Sequence, residues 1–210
     1  MAMRQFRLGV GTIVVVLILG AVASFAGWQE AVRGAAPSAP AIEEVRRAYA
    51  QCREIQKQAA AIELYQGRTG KPPVRRWQRE QPPEAEQTGR TMKLFTADST
   101  VRMAIEEVDA LSGDWRQRTE HCFRSDGSVA FVLAVLWTFH GNVQVEDRMY
   151  FNPRRENIRK LRRVFDLKTN KPIKPEGASF MEQKLQLFRS ADELLRAIGP
   201  EIVFPSSASK

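Results

Sequence analysis

Between about residue 92 and residue 167, polar and apolar side chains alternate with a period of two, which confines this part of the chain to half-buried β-strands. Residues 114–124, 128–140, 143–152 and 157–167 each read as a strand, with a fifth around 100–108. Ser125-Asp126-Gly127, Gly141-Asn142 and Pro153-Arg154-Arg155 separate them. These are short hairpin connections, so neighbouring strands pair antiparallel in a meander. Residues 129–139 are apolar on both parities: Phe131, Leu133, Val135 and Trp137 on one face, Val132, Ala134 and Leu136 on the other. A strand of that kind belongs in the middle of a sheet that is covered on both sides. The arginine-rich stretch 158–164 belongs nearer an edge, where charge discourages edge-to-edge aggregation.

Helical periodicity flanks the alternating region. Ile42, Val45, Tyr49, Cys52, Ile55, Ala59 and Ile62 recur every three or four residues, which predicts one amphipathic helix of about 25 residues that starts after Pro40 and ends near Gly67 and Gly70. Met181, Leu185, Phe188, Ala191, Leu195 and Ile198 form a second stripe, stopped by Gly199-Pro200. Ser179 with Glu182, and Ser190 with Glu193, make two capping boxes, so this stretch holds one or two helices. The basic segment 71–83, with two Pro-Pro pairs around Trp77, favours extended polyproline structure and reads as a surface excursion. The fold class expected from these patterns is α+β: one long amphipathic helix, a four- to five-stranded antiparallel meander, and one or two C-terminal helices.

Residues 8–28 carry no charge and follow Arg4 and Arg7. A basic lead-in before an apolar run fits a secretory signal peptide, with Ala21-Val22-Ala23 offering a cleavage site before Ser24. The run is also long enough to span a bilayer, for which ~20 residues suffice, and fits a signal anchor equally well. Either way the remainder is placed outside the cytoplasm, secreted or periplasmic or held on the membrane. The organisation expected is a signal segment at 1–28, a linker at 29–40, a single extracytoplasmic domain at 41–200 and a tail at 201–210.

The chain carries 32 Lys and Arg against 24 Asp and Glu, a net charge of +8. Without Arg4 and Arg7, 30 basic residues still face 24 acidic ones. In an exported protein that excess points to anionic lipid or cell-wall polymer, or to no charged partner at all, and not to nucleic acid; an unknown protein partner is expected besides. Arg154, Arg155, Arg159, Lys160, Arg162 and Arg163 form the densest basic feature and are the candidate surface for an anionic partner. On a strand, Arg159 and Arg163 share a face with Leu161 and Phe165, and Lys160 and Arg162 share the other with Ile158 and Val164. Neither face is purely basic, so a solvated edge strand is the competing reading.

Catalytic chemistry finds no foothold. His121 and His140 lie about eight residues apart along paired strands, roughly 25 Å, too far to share a metal. Glu106, Glu107 and Asp109 cluster in sequence, but successive strand residues point to opposite faces, and acid–base work needs two carboxyls at one site. Neither Gly-x-Ser-x-Gly nor a glycine-rich phosphate loop occurs. The residues therefore assign no catalytic, metal or cofactor site. Cys52 and Cys122, 70 residues apart, are too distant for a CxxC motif and read either as a disulfide in an oxidising compartment or as two buried free thiols.

One resemblance emerges. The segment Cys52-x9-Ile62-Glu63-x-Tyr65-x4-Gly70-x-Pro72 resembles the end of the long N-terminal helix of type IV pilin-like proteins and pseudopilins, and the succession of apolar segment, amphipathic helix and meander is similar. Residues 8–14 lack the glutamate and the cleavage site with which those families begin. The expected function is a non-catalytic exported envelope protein with a binding or scaffolding role. The resemblance implies the alternative of a structural subunit in an envelope filament or secretion assembly, and a hydrolase with an unrecognised site is a third reading.

Overall fold

Ser38 opens the first helix by accepting a hydrogen bond from the Ala41 amide, with Pro40 in the first turn where its missing N–H costs nothing. This helix, α1 (Ala39–Gln58), closes at Ala59, whose backbone is extended. The computed structural model describes residues 38–67, 88–110, 112–174 and 185–199. The apolar run 8–28, the segment 71–83, the capping box Ser179/Glu182 and the tail 201–210 lie outside the described residues. Among the described residues, no helix is long and apolar enough to cross a membrane.

Eight strands follow α1 among the described residues: β1 (Ile62–Gly67), β2 (Thr88–Ala97), β3 (Thr100–Asp109), β4 (Trp115–Phe123), β5 (Val129–Thr138), β6 (Val143–Phe151), β7 (Asn157–Asp166) and β8 (Pro172–Ile173). They form one antiparallel sheet in which each strand neighbours the next in sequence. A second helix, α2 (Ala191–Ile198), comes last. The expected α+β arrangement is thereby corrected: the described residues form one eight-stranded antiparallel sheet with two helices, the second only eight residues long.

Three local causes account for the difference. The expected first helix was carried too far, because Ile62 fits both a helical stripe through Ile55 and Ala59 and a strand through Leu64 and Gln66. Strand pairing wins, with Ile62 opposite Leu94 and Leu64 wholly buried opposite Met92. β2 was missed because its hairpin to β3 turns at Asp98-Ser99, where no glycine marks the site; both residues adopt positive φ, 51° and 60°, the backbone of a type I′ turn. At the C-terminal end, residues 185–188 are not helical, and the capping box of Ser190 with Glu193 starts α2. There Ser190 accepts from the Glu193 amide, and Glu193 accepts in turn from the Arg189 amide.

The turn at 125–127 sets the register of the sheet's centre. Arg124 donates its amide to the Ser128 carbonyl, and Gly127 takes φ of 77°, so the turn is the three-residue one. A bulge between Cys122 and Phe123 then shifts the pairing by one residue, placing His121 opposite Val132 and Cys122 opposite Phe131. One face of the sheet is covered by α1: Ile42, Val45, Ala48 and Cys52 are buried with Phe95, Met103, Ile105, Cys122, Phe131 and Tyr150. On the far face Phe188, Ala191, Leu194 and Ile198 close over Leu94, Ala104, Phe123, Val132 and Met149. Amides of Ala191 and Val129 tie this cover to the 125–127 turn and to Arg189.

Candidate functional site: a basic edge and a buried polar row

The disulfide reading of the two cysteines holds. Cys52 on α1 and Cys122 on β4 stand at bonding distance, S–S 2.10 Å with Cα atoms 5.9 Å apart, inside the normal range. The bond fastens the helix to the sheet at a point with no exposure at Cys52. Around it Tyr49 donates its hydroxyl to Glu120 at 3.0 Å, and burial, then the Glu120 charge, pushes that phenol up to about 12. Glu120 also meets Arg118 at 2.8 Å and Arg53 at 3.7 Å, so the one buried carboxylate beneath α1 is ringed by cations.

The far face carries a row across five strands, polar on β3, β4, β6 and β7 and interrupted by Ala134 on β5. Register places Glu106 of β3 beside Thr119 of β4, Thr119 beside Ala134 of β5, Ala134 beside Asp147 of β6, and Asp147 beside Arg162 of β7. Asp147 is wholly buried and holds Arg162 through both carboxylate oxygens at 2.8 Å, with Lys160 at 3.6 Å. Glu106 pairs with Arg90 of β2; burial raises its carboxyl against the opposing pull of that guanidinium. Three strand spacings separate the two carboxylates, about 14 Å, beyond the ~5–9.5 Å at which two carboxyls share a bond-breaking task. Each is neutralised by its own cation.

The acidic cluster read from sequence divides accordingly. Glu106 faces the buried row, whereas Glu107 and Asp109 lie on the helix-bearing face, opposite Arg118 and Arg116 at 3.3 and 2.6 Å. The histidines stay apart. His121 is buried on the far face and accepts the Phe188 amide through Nε2 at 3.3 Å, while exposed His140 lies 4.0 Å from Asp114 at a turn. Among the described residues no three metal-ligating side chains converge.

The six candidate residues for an anionic partner all fall on or beside β7, which among the described residues is paired beyond its β6 side only where Val164 and Phe165 meet β8. They do not act alike. Arg162 is committed to Asp147, and Arg159 lies over the Tyr150 ring at 6.0 Å. Arg163 stands opposite Glu146, while Arg154 and Arg155 sit exposed in the turn before β7. The sequence run 154–163 is therefore partly spent on internal pairing. The signal for that was Asp147, a charge at an inward position between Val145 and Met149, whose partner had to come from a neighbouring strand.

Two features escaped the reading of charge runs. Lys168, Lys171 and Lys174 continue the basic edge past β7, all exposed. Phe139, in the β5–β6 turn, is 55% exposed, and Ile173 36%. A shallow recess of about 320 Å³ opens at Ile173, lined also by Arg162, Arg163, Val164, Phe165 and Pro172. Compared with protein-family models, curated proteins and solved structures, the chain matches none.

Proposed function

We propose that the chain is an exported, non-catalytic envelope protein in which a disulfide-fastened sheet presents a basic edge to a binding partner. The observation that carries this reading is the Cys52–Cys122 pair: bonded cysteines persist in oxidising compartments, which supports export as the basic lead-in and apolar run 4–28 do. The pairing of Glu106 and Asp147 each with its own cation supports a scaffold, because the buried charges hold strands together and do not meet at a reactive centre. The test is a fusion after Lys210 to a reporter active only outside the cytoplasm. Activity is expected; a strong signal from a reporter active only inside would overturn the export reading. Mass spectrometry of the mature N-terminus distinguishes a cleaved chain that begins at Ser24 from an anchored one that keeps residues 1–28. Recovery of the chain in an assembled filament would favour the pilin-like subunit instead.

A further inference from the structure

Two turns at one end of the sheet lie side by side. Val143 pairs with both Thr138 and Asp166, so the β5–β6 turn (139–142) adjoins the β7–β8 turn (167–171). Asn142 stitches them, its side chain donating to Asp166 at 2.8 Å and its carbonyl accepting from the Leu167 amide at 3.0 Å. The β5–β6 turn is also tied to Asp114, whose carbonyl accepts the Phe139 amide at 2.8 Å. The tip is thus held in shape by main-chain and side-chain bonds.

Its surface combines two chemistries. Phe139 projects from one turn with more than half its surface in water, and Ile173 lies behind the other. Lys168 and Lys171 stand in the second turn, with Lys174 and Arg163 alongside, all exposed. Asp166 lies in the same turn and its charge attracts Lys168, while it accepts from the amides of Lys168 and Thr169, from the Thr169 hydroxyl and from Asn142; one carboxylate against three lysines and Arg163 still leaves the tip with an excess of cations. No carboxylate lies within ion-pair distance of the three lysines among the described residues. An exposed aromatic ring in one turn with lysines in the adjoining turn suits a boundary that is negative at its surface and apolar just beneath it. A soluble polyanion would use the lysines and leave Phe139 in water.

We infer that this tip is a peripheral membrane-docking surface, in which Phe139 enters the headgroup layer and Lys168, Lys171, Lys174 and Arg163 bind anionic phospholipid headgroups. The inference rests on the proposed envelope location, yet its test is independent of export. The full chain is mixed with vesicles of phosphatidylcholine alone or with 30% phosphatidylglycerol (a fraction of roughly this size gives ~−30 to −50 mV of surface potential), and sedimented. The readout is the ratio of partitioning between the two lipids, since the apolar run 8–28 contributes to both. The triple variant Lys168→Gln/Lys171→Gln/Lys174→Gln should lower that ratio by about a hundredfold, from about fivefold per lysine. Phe139→Ser should lower binding to the anionic vesicles by about tenfold. A control with the same loss of charge on α1, Arg46→Gln/Arg47→Gln/Lys57→Gln, should leave the ratio near wild type. An intact Cys52–Cys122 bond and unchanged near-UV dichroism verify folding in each variant. Equal losses from the two triple variants would reduce the effect to net charge and overturn the site. Unchanged binding by Phe139→Ser, or binding to soluble polyphosphate with none to vesicles, would overturn the membrane assignment. A failed export reporter with positive vesicle binding would sink the envelope reading alone.

Discussion

Acid should loosen this protein through one side chain, His121. Its imidazole is buried on the far face with 2% exposure, stacked on Phe123 at 6.1 Å and tilted against Phe188 at 5.3 Å between ring centroids. Burial lowers it from 6.5 to about 4, because the charged ring would sit among apolar groups. Protonating Nε2 would also set an N–H against the Phe188 amide that it now accepts. Charged groups on adjoining elements include Glu106, two residues along β3 from the Ala104 that pairs with His121, Arg102, whose guanidinium donates to the Phe123 carbonyl, and Arg189 and Glu193 at the start of α2. The unfolded chain binds the proton near pH 6.5 and the folded one near 4, so stability is intact above 6.5 and falls as pH drops toward 4. Linkage gives a loss of about 2 kcal/mol by pH 5 and about 3 kcal/mol once pH passes below 4. Glu106, raised in the folded state, changes stability with the opposite sign, so the comparison must be between the wild type and His121→Phe. Urea unfolding of the oxidised full chain in mild detergent, followed by tryptophan fluorescence at pH 7.5, 6 and 5, measures both curves. The wild type should lose about 2 kcal/mol more than His121→Phe over that range. Parallel curves for the two proteins would refute the reasoning.

Other perturbations have definite expected outcomes. Cys52→Ser should lower stability by about 4 kcal/mol in the loop-entropy model for a closed loop of 70 residues, and thiol labelling of unfolded wild type should find two reactive cysteines only after reduction. Arg162→Leu strands Asp147 in the interior and should cost about 3–5 kcal/mol, whereas Asp147→Leu/Arg162→Leu together should recover most of that in a urea titration. Phe131→Ala, beneath Tyr49 and against Tyr150, should cost about 3–5 kcal/mol and lower Tm sharply by calorimetry.

Phe131 and Trp137 show how far the sequence can be read. Alternation puts both on one face of β5 and gives them equal weight as core residues. The structure separates them: Phe131 lies under α1, while Trp137 is half-buried and donates to Gln144 at 2.9 Å. Periodicity states which face a side chain occupies but not how far along that face a covering helix extends. The same limit hid β1, since one apolar residue at the helix end satisfies both periods until a partner strand chooses between them. The hairpin of β2 with β3 was not legible although β3 itself was, because no glycine marks Asp98-Ser99 and the positive φ there is imposed by the hairpin.

Charge presents a related difficulty with a different cause. A run of basic residues looks like a surface, yet on a strand alternate members face different environments, and a buried carboxylate on the neighbouring strand claims those that point inward. Asp147 removes Arg162 from the surface and draws in Lys160, while Tyr150 holds Arg159. Further exposed basic groups come from the turns that flank β7. Lys168 and Lys171 are of this kind, and Asp166, the acid nearest them in sequence, accepts four hydrogen bonds that shape the turn and offsets only part of their charge. The strand that made the densest basic run in the sequence is therefore chiefly architecture, and the turn beyond it, with fewer charges, carries more of the outward field.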